Sequence, residues 1–144
     1  MTLIELVIAM VIVAVLASIA IPSYQRYVLK AHRTEAKTTL LDLTSMEERF
    51  FSTSNIYSTL PSDLGYGAAA AFPFNTISGY YRIDVAITPA VAPTGPVPAG
   101  TPATYTLTAK AIGIQANDAN CQTFSVLSNG TKTATPDPSN DCWN

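Results

Sequence analysis

Hydrophobic positions divide this chain into a uniformly apolar start, a helical stripe and a series of alternating segments. From Leu3 to Ile21 it reads LIELVIAMVIVAVLASIAI, where Glu5 is the one charge and Ser18 the one other polar side chain. About 20 helical residues span a bilayer core of roughly 30 Å, so this segment is long enough to cross or deeply enter a membrane. A carboxylate in such a helix is costly to desolvate and needs a partner or a place near water. No side-chain cation precedes Arg26, so the nearest positive charge is an α-amino group, its own or that of a neighbouring copy.

Beyond Ile21 the pattern changes to a stripe. Pro22 removes a backbone donor and crowds the preceding turn, which predicts a kink or a locally unwound stretch. Ala36, Leu40, Leu43, Glu47 and Phe50 then recur at three-to-four spacing, an amphipathic helix with one face for a sheet. Small polar residues between Ser52 and Asn55 mark its end. Residues 55–79 hold no sustained period, and Tyr57, Tyr66, Phe72 and Phe74 read as anchors tacking a loop to the body. Alternation resumes at Tyr81, Ile83, Val85 and Ile87, again at Tyr105, Leu107 and Ala109, and again at Phe124 and Val126. Asn129-Gly130 is a hairpin signal, both positions tolerating positive φ, so Thr131–Ala134 should return as a fourth strand. The fold class is therefore α+β: one long N-terminal helix whose C-terminal half packs on a four-stranded antiparallel sheet.

Thr2-Leu3-Ile4-Glu5-Leu6, the apolar run and Ala20-Ile21-Pro22-Ser23-Tyr24 together resemble the mature N-terminus of a type IV pilin. The resemblance reaches the far end, where Cys121 and Cys142 close a loop just before Trp143. It implies a hydrophobic helix over 1–24 (membrane anchor, then filament core), its amphipathic continuation over 25–54, and a globular head over 55–144. It implies processing by a prepilin peptidase with N-terminal methylation, residence in the inner membrane before assembly, and then an extracellular pilus. The partners implied are further copies of the chain in a helical homopolymer, the pilus assembly machinery, and host or abiotic surfaces. The assembly pair maps onto Glu5 and the N-terminal amine of Met1 in an adjoining subunit. The family usually carries Phe at the first mature position, where this chain has Met.

Composition narrows the function. The 144 residues and 15.3 kDa leave one small head once the apolar helix is set aside. A net charge of −2 and a pI near 5.1 give no global pull on nucleic acid, so DNA is a possible but unindicated partner. Five of the eight basic residues, Arg26, Lys30, Arg33, Lys37 and Arg49, lie on the first helix, and the resemblance to type IV pilins implies that Arg26 to Lys37 face the headgroups of the periplasmic leaflet. Two cysteines in a domain this small read as one disulfide formed in an oxidising compartment, with two buried thiols as the alternative. The enclosed loop of about twenty residues corresponds to roughly 3 kcal/mol in the chain-entropy account.

Catalytic sets are missing from the pattern. His32 sits among cations on a helix face expected to be solvated, and no phosphate-cradling glycine loop occurs. Asn117, Asp118 and Asn120 read as turn formers rather than calcium ligands. The expectation is no enzyme, no cofactor and no metal. The segment PAVAPTGPVPAGTP at 89–102 should project as a loop, with Thr94 and Thr101 as candidate O-glycosylation positions.

The leading function is a structural pilus subunit serving adhesion, twitching motility, biofilm formation or DNA uptake. The alternatives are a minor pilin that binds a ligand or DNA, and a pseudopilin of a type II secretion system. A secretory signal would need basic residues before the apolar core. A plain membrane anchor would leave Glu5 unexplained.

Overall fold

A computed structural model describes residues 2–66, 71–91, 102–137 and 141–143. Helix α1 spans Leu3–Ser54 and ends where Asn55 takes a left-handed conformation, φ 56°, with its N–H bonded to the Phe51 carbonyl. Asparagine tolerates that geometry better than most residues, which is why the helix stops there. The two halves of α1 have opposite surroundings. Leu3 to Ile21 is exposed along almost its whole length, whereas Ala36, Thr39, Leu40, Leu43 and Glu47 are buried against the sheet. The locally unwound stretch expected at Pro22 is absent, because the residues on both sides of it remain α-helical. A lone proline deletes one intrahelical bond, and the long helical stretches flanking it carry that loss.

The sheet has five antiparallel strands in sequence order, not four. Strand β1 (Phe74–Asn75) precedes β2 (Tyr81–Thr88), β3 (Thr104–Ala111), β4 (Thr123–Leu127) and β5 (Lys132–Thr135). Two residues are too few to show a period, so β1 left no pattern in the sequence; it is recognised only by its pairing, Phe74 with Ile83 and Asn75 with Arg82. Tyr81, Ile83, Tyr105, Leu107, Ala109, Phe124 and Val126 point inward and meet Ala36, Leu40 and Leu43 in one core. A 3-10 turn, Gly113–Asn117, sits between β3 and β4.

The turn between β4 and β5 departs from the sequence reading. Only Gly130 has positive φ (81°), its N–H bonding the Leu127 carbonyl, while the Asn129 side chain accepts from the Thr131 N–H. The glycine closes the turn, and Asn129 acts through its side chain instead of its backbone.

Aromatic residues fasten the remaining segments. Tyr57 stacks on Phe51 at 4.5 Å and meets Tyr105 edge-on at 4.7 Å, and Phe74 contacts both Tyr66 and Phe72. Cys121 and Cys142 form a disulfide with Cα atoms 5.7 Å apart. It brings Trp143 onto the sheet, where the indole lies edge-on to Phe124 at 5.6 Å and donates to the Thr133 carbonyl at 2.8 Å.

Candidate assembly interface

Glu5 stands in the first turn of α1, where the helix dipole favours a negative charge. Its Oε2 accepts from the Thr2 N–H at 3.4 Å, and Thr2 Oγ1 accepts from the Glu5 N–H at 3.4 Å. This reciprocal capping box satisfies two of the donors a helix start leaves open. Its sequence signature, Thr-x-x-Glu at Thr2–Glu5, marks a helix start even within an apolar run. Both bonds are long and exposed, and among the described residues Oε1 has no donor. Met1, assigned to the same pair, lies outside the described residues, as do Thr94 and Thr101.

Around Glu5 the helix presents nothing but apolar surface. Its most hydrophobic 18-residue window has a mean hydropathy of 2.9 and none of it is buried. Leu6, Ala9, Met10, Val13 and Ala14 line a shallow depression in which small side chains let another helix approach closely. Burying a single Leu, Ile or Val side chain is worth about 1.5–3 kcal/mol, so this surface is stable only in lipid or against other apolar helices.

The joint between spine and head is polar. Arg33 grips Asp118 with two bonds of 2.7 Å, Nε to Oδ2 and Nη2 to Oδ1, and the two side chains are 14% and 4% exposed. Fully buried Gln115 has its Nε2 within reach of the Leu29 carbonyl, the Tyr81 hydroxyl and Asp118. Its Oε1 lies 3.0 Å from His32 Nδ1, which places the imidazole proton on that nitrogen. The His32 ring stacks on Tyr80 with centroids 3.7 Å apart. Two expectations are corrected here. His32 is not a solvated surface residue, and Arg33 turns into the head instead of toward headgroups. Asp118 anchors Arg33 and also caps the Asn120 and Cys121 N–H groups, a larger role than a turn former. No sequence signal links positions 85 residues apart.

Lys37, four residues on, has its pKa lowered, chiefly by burial and then by the nearby charges of Arg33 and Lys30. On the outer face of the sheet Arg82 stands directly across from Lys110, beside Asp84 and Thr108.

A membrane-length helix, bare at one end and packed under an antiparallel sheet at the other, with a disulfide-closed C-terminus, defines a filament subunit of the pilin class. The chain belongs to the type IV pilin family. Residues 22–125 match the family model described as type IV minor pilin ComP, DNA uptake sequence receptor. Over 65 residues it is 38% identical to the type IV major pilin protein PilA of Myxococcus xanthus (strain DK1622), covering 45% of this chain. That match spans 30% of the relative's length.

Proposed function

We propose that this chain is a structural subunit of a type IV pilus. It is held in the inner membrane by Leu3–Ile21 and then polymerised through the same helix into an extracellular filament. One observation carries the reading: a membrane-length helical surface exposed along almost its whole length, whose one charge sits in the first turn with a carboxylate oxygen that has no donor among the described residues. In lipid that surface gains little from self-association. Once extracted it must be buried against sister helices, and the N-terminal amine of a neighbour supplies the partner that Glu5 needs. Adhesion, twitching motility and biofilm formation are the services such a filament performs.

The test is electron microscopy of filaments sheared from the source cells, with subunits identified by mass. Native cells should yield filaments containing this chain, while Glu5→Ala cells should retain the chain in the membrane and yield none. Normal filaments from the variant would overturn the role of Glu5. Filaments built of another protein, with this chain scarce, would make it a minor pilin or a pseudopilin.

DNA capture is a second reading, supported by the Arg82 and Lys110 pair. Like charges directly opposed across strands are destabilising. Among the described residues neither side chain has a hydrogen-bond or ion-pair partner, so a polyanion laid across both would relieve the repulsion. Measuring DNA binding by the full chain as salt is raised checks this: replacing either cation should flatten the salt dependence by about one unit of slope.

A further inference from the structure

Where α1 leaves the head, a mainly apolar groove of about 280 Å³ opens between Tyr24, Gln25, Val28, Leu29 and His32 on the helix and Ile114 and Asn117 on the 3-10 turn. Ile114 is 72% exposed, and Tyr24 and Tyr27 are 70% and 73% exposed. Ile114, the second residue of that turn, packs into no core. Its position is nevertheless fixed, because the next residue, Gln115, is tied to the Leu29 carbonyl and Asp118 is tied to Arg33.

We infer that, before assembly, the head rests on the lipid leaflet from which α1 emerges, with Ile114 and Tyr24 as its foot. This rests on the membrane-held stage of the function proposed above. At 1.5 Å per residue, Tyr24 lies roughly 5 Å and Val28 roughly 10 Å beyond Ile21 along the helix. The polar layer on each side of a bilayer is about 5–7 Å thick, and a helix tilt of about 20° is ordinary, so leaning toward the head carries Ile114 into that layer. Tyrosines are the residues expected at such a boundary.

Charge agrees with a lipid occupant. The chain has no acidic residue from Leu6 to Thr34, while Arg26 and Lys30 are exposed at the same level of the helix, on faces turned away from the groove, where the same leaflet surrounds them. Those cations suit lipid phosphates. The apolar segment of a second copy offers only Glu5 as an anion and leaves them unmatched. The foot therefore sets the lean and rotation of the subunit in the bilayer, holding the head in one orientation before extraction.

The test uses the full chain in phosphatidylcholine vesicles containing increasing phosphatidylglycerol. A nitroxide is attached singly through Ile12→Cys, Ile77→Cys or Ile114→Cys; the native cysteines are buried in their disulfide. Accessibility to oxygen against a water-soluble nickel chelate reports depth. Ile77 is 93% exposed on a turn bonded to Glu35, well above the leaflet, and serves as the aqueous reference. The position 114 label should show an oxygen-to-nickel ratio several-fold above that at 77, rising with phosphatidylglycerol, and Arg26→Gln with Lys30→Gln should remove the rise. Equal ratios at 114 and 77, with position 12 lipid-exposed, overturn the foot and leave the pilin reading standing. Protection of 114 only in assembled filaments gives the groove to a neighbouring helix and also overturns it. A water-exposed label at position 12 removes the membrane-held stage itself, and the foot with it.

Discussion

The two halves of α1 belong to one unbroken helix and follow opposite rules. The second half is a stripe: Ala36, Leu40 and Leu43 are fully buried, and its Arg33 is joined to Asp118 of the head. The first half has no stripe, because every face of it is apolar and exposed. A helix that is hydrophobic all round is built for surroundings the single subunit does not contain. Stability of the fold therefore resides in residues from about 29 onward, and assembly in those before. The contrast teaches that a substitution can be silent in one ledger and decisive in the other.

Leu40→Ala against Val13→Ala separates the halves most sharply. Leu40 is fully enclosed, so its truncation should cost about 3–4 kcal/mol in denaturant unfolding of the full chain in detergent. Val13 is exposed, and its truncation should leave that unfolding unchanged while weakening filaments against heat. Equal effects of the two on head unfolding would break the comparison. Next in size is the joint. Asp118→Leu should cost about 2–3 kcal/mol by leaving Arg33 unpaired in a largely buried site, and adding Arg33→Met should restore much of the loss, measured as a double-mutant cycle. Additive losses would mean the pair contributes no coupling and that the head is seated by packing alone.

Most of this division was written in the chain. The change from continuous to three-to-four spacing located both halves, Asn55 the end of the helix, and alternation three of the strands. Periodicity works where a face is buried over several turns or residues. It fails for β1, which is only two residues long, and for the Arg33, Gln115, His32 and Asp118 joint, whose members come together only after the sheet has formed. His32 and Arg33 were misplaced for the same reason: charge on a helix reads as solvated unless its distant partner is known. Of the kink or unwinding expected at Pro22, the unwinding does not occur, since a proline removes one bond and leaves the helix around it intact. Asn129-Gly130 gave the right hairpin with a different division of labour inside it.

The smallest expected effect concerns the one charge that the packed half encloses. Glu47 is fully buried; its Oε2 accepts from the Ser58 N–H at 3.1 Å, and its Oε1 is buried with no hydrogen-bond partner among the described residues. Burial pushes its pKa up to about 6, with the Ser58 bond opposing and Glu48 adding to the rise. A raised carboxylate pKa means the folded state binds the proton more tightly than the unfolded one. Below about pH 4.5 both states are protonated and stability is complete on this account. As pH rises through about 6 the head should lose on the order of 1–2 kcal/mol and then level off. Glu47→Gln keeps an acceptor for Ser58 and carries no charge, so it should be more stable than the native chain at pH 7 by that amount and show no change over this window. Urea midpoints at pH 5 and pH 7 decide it. A Gln variant less stable at pH 7 would show that the ionised carboxylate holds the loop after α1 in place, and that the packed half, like Glu5 in the exposed one, depends on a charge.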